Sequence, residues 1–151
     1  MTALNFRPHH VALTVRNTSA SRSFYKVLGF DLVAEWTAKD HSLVISHLRC
    51  GSGLVLELFC YADERDQPSR ERGVGNDLTV VGVKHIGFDV DNLIEVRNQF
   101  MADGHTSATE IVMGRTQVEY FFLQDPDGIW VEVVNDKRVL SKSAPLILTE
   151  L

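Results

Sequence analysis

Shifted by 75 residues, the sequence aligns with itself without a gap: HVALTVRN (10–17) falls on HIGFDVDN (85–92). The register then persists, with Arg22 on Arg97, Gly29 on Gly104, Glu35 on Glu110, Leu48 on Leu123, Gly53 on Gly128 and Glu57 on Glu132. Self-similarity at a fixed shift is the signature of one supersecondary unit used twice. Whatever fold the first copy takes, the second must take as well. The interval from His10 to Glu57 and from His85 to Glu132 is 47 residues in both, so any chemistry these residues carry is carried in duplicate.

Each copy reads as strand, helix and three further strands. In the first, Asn17, Thr18 and Ser19 form a capping cluster, Phe24, Val27 and Leu28 recur at helical spacing, and Gly29 stops the helix. In the second, Asp91 and Asn92 cap, Leu93, Val96 and Phe100 form the stripe, and Gly104 ends it. Runs rich in β-branched and aromatic residues follow each helix and close in tight turns at CGSG (50–53) and DPDG (125–128). The expected organisation is an N-terminal extension (1–8), a first βαβββ module (9–60), a linker or lid (61–82), a second module (83–135) and a C-terminal tail (136–151). Arg65, Arg70 and Arg72 in the linker read first as solvated loop residues, with an anionic substrate as their functional alternative. The PLIL run of the tail reads as packing on a neighbour.

At 151 residues and 44% hydrophobic, the chain can bury a real core. A net charge of −5 and the lack of a basic stripe argue against nucleic acid. No apolar run approaches the roughly 18 residues of a membrane span, and the N-terminus lacks the apolar core of a secretory signal, so the expected location is the cytoplasm. Cys50 and Cys60 form no metal or redox motif and read as small packing residues. GSG (51–53) and GVG (73–75) do not lead into helices and read as turns rather than phosphate cradles. Trp36 reads as core, and His41 and His105 as surface or strand-start residues.

Side chains alternate along a strand. His10, Ala12 and Thr14 therefore oppose Val11, Leu13 and Val15, and His85, Gly87 and Asp89 oppose Ile86, Phe88 and Val90. The last strands repeat the logic: Val55, Glu57 and Phe59 share one face, as do Trp130, Glu132 and Val134. The apolar face must cover the helix, which leaves histidine and glutamate together on the other. His9 has Lys84 as its counterpart and reads as a bystander. If DPDG makes a three-residue loop with a bulge, Phe122 pairs with Glu132, Tyr120 joins that face, and by the repeat His47 joins Glu57. A two-residue turn would instead bring Phe121 and Leu123 there.

Two histidines and two glutamates on equivalent faces form a nitrogen and oxygen set suited to one divalent metal ion: zinc, nickel, cobalt or manganese, with iron an alternative. Without a cation, two carboxylates brought to one cavity would repel each other. Four ligands leave one or two positions for water or for substrate oxygens, which catalysis needs. The expected metal ligands are His10, Glu57, His85 and Glu132. Thr14, His47, Asp89, Tyr120, Phe122 and Trp130 are the expected substrate contacts.

HHVALTV, SRSFYKVLGF, LVLELF, KHIGFDVDN and DPDGIWVEVV together resemble the vicinal oxygen chelate superfamily, which includes glyoxalase I, methylmalonyl-CoA epimerase, extradiol dioxygenases and the fosfomycin and bleomycin resistance proteins. The resemblance covers about residues 8–135. It implies an α+β fold in which two tandem βαβββ modules form a cupped mixed sheet around a metal, commonly in a homodimer. Its four ligand positions map onto His10, Glu57, His85 and Glu132, a set similar to that of glyoxalase I. The implied activity is that of a metal-dependent lyase or isomerase, lactoylglutathione lyase-like, which transfers a proton next to a carbonyl of a small oxygenated substrate through a metal-stabilised enediolate. Glu57 or Glu132 would act as base. Thr14 and Tyr61 stand where glyoxalase I usually has an Arg and an Asn contacting glutathione, so the resemblance extends to the chemistry and not to the glutathione carrier. Alternatives within the superfamily are a CoA-ester epimerase, an extradiol dioxygenase and a ligand-sequestering protein of the bleomycin-resistance kind.

Overall fold

The computed structural model describes residues 7–63 and 78–148. The chain divides into two compact units, Met1–Arg70 and Glu71–Leu151. Arg65, Arg70, Arg72 and the GVG turn lie outside the described residues.

In the first unit, β1 (His10–Thr14) leads into α1 (Thr18–Val27), followed by β2 (Asp31–Thr37), β3 (Leu43–Arg49) and β4 (Val55–Tyr61). The four strands form one mixed sheet in the order β1-β4-β3-β2. β1 runs parallel to β4, while β2, β3 and β4 are antiparallel neighbours. β4 extends one residue past the expected module end, through Tyr61. α1 begins where Asn17 Oδ1 accepts the Ala20 N–H at 3.0 Å, which satisfies a donor that the first turn leaves without an intrahelical partner. It stops at Gly29, whose φ of +83° only glycine adopts without strain.

The buried stripe of α1 is Ser21, Phe24 and Tyr25, not the Phe24, Val27 and Leu28 set. Val27 is 47% exposed and Tyr25 fully buried. Ser21 takes part in the stripe because its hydroxyl donates to the Asn17 carbonyl at 3.1 Å, so it needs no water. The stripe covers the face of the sheet that carries the buried Leu48, Leu56 and Leu58.

The second unit repeats the plan with β5 (Ile86–Asp89), α2 (Leu93–Ala102), a short β6 (Val112–Met113), β7 (Glu119–Gln124) and β8 (Trp130–Asn135). Its sheet order, β5-β8-β7-β6, matches the first. Asn92 caps α2 by accepting the Glu95 N–H at 3.2 Å, and Leu93 and Phe100 are buried beside Phe121, Leu123, Val131 and Val133. Each helix is also tied to its unit by an ion pair that the 75-residue shift relates: Arg22 to Glu35 at 3.0 Å and Arg97 to Glu110 at 2.7 Å.

The two turns match in detail. In the first, the Gly53 N–H reaches the Cys50 carbonyl and the Cys50 N–H the Leu54 carbonyl; in the second, Gly128 reaches Asp125 and Asp125 reaches Ile129. Gly53 and Gly128 have φ values of +93° and +81°. This is the three-residue loop with a bulge, and it pairs Phe122 with Glu132 and His47 with Glu57.

Trp36 is not core. It lies on β2, an edge strand whose residues are all exposed, and is itself 56% exposed. The tail past β8 has no helix or strand among its described residues, and Ile147 of the PLIL run is 78% exposed on the single chain. No helix among the described residues is long and apolar enough to cross a membrane.

Candidate functional site

The face of each sheet turned away from its helix collects the polar groups. In the first unit, β1 alternates exposed His10, Ala12 and Thr14 with half-buried Val11 and Leu13. Parallel pairing sets Ala12 against Glu57, and antiparallel pairing sets His47 against the same Glu57. Directly paired residues share a face, so His10, His47 and Glu57 emerge together. His10 Nε2 lies 3.6 Å from Glu57 Oε2. His47 Nε2 lies 2.9 Å from Glu57 Oε1, a hydrogen bond in which the imidazole N–H donates and the carboxylate accepts.

His9, read as a bystander, touches His10. It precedes β1, so the strand rule does not bind it, and its Nδ1 lies 2.9 Å from His10 Nδ1 with the rings edge to face. Trp36, opposite Ile45, which in turn faces Phe59, shares the sheet face of His47 and Glu57. The signal for it was present in the strand register, once the bulge between Leu32 and Ala34 is known.

In the second unit, His85 Nε2 lies 3.1 Å from Glu132 Oε2. Phe122, opposite Glu132, is only 7% exposed and packs edge-on against His85 at 5.3 Å, Tyr120 at 5.4 Å and Trp130 at 6.1 Å. Of the other expected substrate contacts, Thr14 is exposed at the end of β1. Asp89 spends one oxygen on the backbone N–H of Asp136 at 2.8 Å. Arg138 grips the carboxyl of that Asp136 at 2.8 Å, and chiefly this hydrogen bond holds it down to about 2. Cys50 and Cys60 are free and partly exposed; Cys50 Sγ meets Ser52 Oγ at 2.9 Å, which with backbone N–H groups lowers its thiol against the opposing effect of burial.

Donors bound at about 2.0–2.2 Å to one ion stand roughly 3.0–3.6 Å apart at octahedral to tetrahedral angles. The His10 to Glu57 and His85 to Glu132 separations, 3.6 and 3.1 Å, fall in that range. Imidazole with carboxylate is also a donor chemistry that first-row divalent metals accept. Among the described residues, no group of three or more His, Cys, Asp or Glu is arranged to hold an ion. Each unit on its own thus offers one pair.

Two four-stranded mixed sheets, each with one helix and each with a His and a Glu in contact on the side away from that helix, define the class as an α+β protein of tandem βαβββ units. Residues 7–133 match the profile of the Glyoxalase/Bleomycin resistance protein/Dioxygenase superfamily, and the chain belongs to it. The chain is 27% identical over 126 residues to YaeR, an uncharacterized protein of Escherichia coli, covering 83% of this chain and 92% of that one. It is 28% identical over 140 residues to the lactoylglutathione lyase of Schizosaccharomyces pombe, covering 88% of this chain but 46% of that enzyme. The crystal structure of a glyoxalase family protein from Enterococcus faecalis shares the fold with a TM-score of 0.71, at 24% identity over 85% of this chain and 97% of that one.

Proposed function

We propose that the protein is a metal-dependent glyoxalase-like lyase or isomerase that moves a proton next to a carbonyl, with His10, Glu57, His85 and Glu132 as one metal set. The observation that carries this reading is the His–Glu contact made once in each unit, with His10 opening β1 and His85 not inside β5 as expected but immediately before it, at spacings that neighbouring ligands of one ion adopt. Superfamily membership and the similarity to a lactoylglutathione lyase support the chemistry.

A divalent ion, zinc, nickel, cobalt or manganese, would supply positive charge beside the substrate oxygens and so favour loss of the neighbouring proton. His10 and His85 present Nε2 beside the carboxylates and would hold that ion with them. One glutamate, Glu57 or Glu132, takes the proton from carbon and returns it to the adjacent carbon, acting as general base and then general acid. Thr14, His47, Asp89, Tyr120, Phe122 and Trp130 surround the small oxygenated substrate, and Thr14 and Tyr61 favour a carrier other than glutathione. The working form is a homodimer in the cytoplasm.

The test begins with metal analysis of protein purified without added metal, followed by assays on thiohemiacetals of 2-oxoaldehydes formed with several thiols. Glu57→Gln and Glu132→Gln should lower turnover, with a loss of about 10²–10⁴-fold at the position that moves the proton. Full activity in both variants overturns the mechanism. Protein that binds substrate analogues but no cation would be a sequestering protein. Bound iron with oxygen uptake would be a ring-cleaving dioxygenase, and turnover confined to acyl-CoA esters would be an epimerase.

A further inference from the structure

We propose that His47 is a positioning residue that fixes the carboxylate of Glu57, so that the two halves of the site, equal in ligand type, are unequal in rigidity. The role rests on the metal-binding reading above. The 75-residue shift that relates Glu57 to Glu132 relates His47 to Phe122, and the strand register is the same: His47 opposite Glu57, Phe122 opposite Glu132. Both carboxylates are 22% exposed, so access to water does not distinguish them. Their cross-strand partners do.

A glutamate side chain has several rotatable bonds, and holding its carboxylate in one place costs rotamer freedom. In the first unit that ordering is done before any ligand arrives. The His47 N–H takes Oε1 at 2.9 Å, which leaves Oε2 as the oxygen beside His10 Nε2. In the second unit the phenyl ring of Phe122 has no donor to offer Glu132; it packs instead against the ring of His85. The first pair is therefore held at its acid by His47, with His9 also against its imidazole, whereas the second is held at its imidazole. Partners that orient metal ligands in this way typically contribute about 10–100-fold to metal affinity.

The experiment uses the full chain, with Zn²⁺ as the probe in competition with a chromophoric chelator. His47→Phe, which copies the arrangement of the second unit, should weaken Zn²⁺ binding by about tenfold or more, and His47→Gln, which keeps an N–H donor, should restore most of the loss. In metal-free protein, ¹⁵N-resolved spectra should show His47 protonated at Nε2, with a hydrogen-bonded imidazole proton that disappears in Glu57→Ala. Unchanged affinity in His47→Phe overturns the proposal. So does a loss that Gln does not relieve, since that marks His47 as a ligand, and so does a metal-free tautomer protonated only at Nδ1. If the unaltered chain binds no Zn²⁺, the metal reading fails by itself, and the tautomer measurement still decides whether His47 holds Glu57.

Discussion

Arg22 and Arg97 each reach from a helix to a glutamate 13 residues further along, but the two acids hold different things. Glu110 is 85% exposed, and its arginine has a second partner, the Thr109 carbonyl at 2.6 Å. An exposed ion pair of this kind contributes about 0–1 kcal/mol. Glu35 also accepts the hydroxyl of Ser46 at 2.9 Å, and Ser46 is fully buried beneath α1. Removing Glu35 strands that hydroxyl, at a cost of about 1–3 kcal/mol. Glu35→Ala should therefore destabilise the protein clearly more than Glu110→Ala in urea unfolding. Equal midpoints for the two variants would show that Ser46 finds another partner when Glu35 is lost.

Helix starts and strand turns are where the duplication is most visible at the scale of elements, because both depend on local residue types. Asn17 and Asn92 each accept a first-turn N–H, and Asn→Ala at either position should cost about 1 kcal/mol, read as a lower unfolding temperature, while Asp or Ser in its place should cost far less. The same locality explains what the sequence made readable. Caps, stops, turn glycines and strand alternation are set within a few residues, so both βαβββ units follow from spacing, while two turns were open at DPDG and the observed three-residue loop decides for the pairing of His47 with Glu57. The exposure of Val27 and Trp36 does not. Two helical stripes through Phe24 were compatible with the residues, and the burial of a serine, satisfied by the Asn17 carbonyl, decided for Ser21, Phe24 and Tyr25. Trp36 is large and apolar, yet it stands on an edge strand whose residues are exposed throughout. The contact of His9 with His10 escaped because alternation applies only inside a strand, and β1 begins at His10.

For the whole molecule, the proposed metal set is decided by how many ions, if any, the two His–Glu pairs take up. One imidazole and one carboxylate leave most of an ion's coordination to water and bind weakly, whereas four protein donors acting together displace more of that water and bind tightly. If the four residues act as one set, the protein takes up one divalent ion per chain. At a free metal concentration of 100 times its Kd, such an ion stabilises the folded state by about 2.7 kcal/mol, which for a 151-residue chain raises Tm by roughly 5–10 °C. A chelator should reverse the shift. His10→Ala and His85→Ala should each remove most of it at the same free metal concentration, because losing one of four cooperating ligands raises the Kd to about that concentration or beyond. If each pair instead held its own ion, titration would reach two ions per chain, and each single variant would keep one of them with part of the shift. That result would separate the two halves chemically and remove the basis for a common metal set.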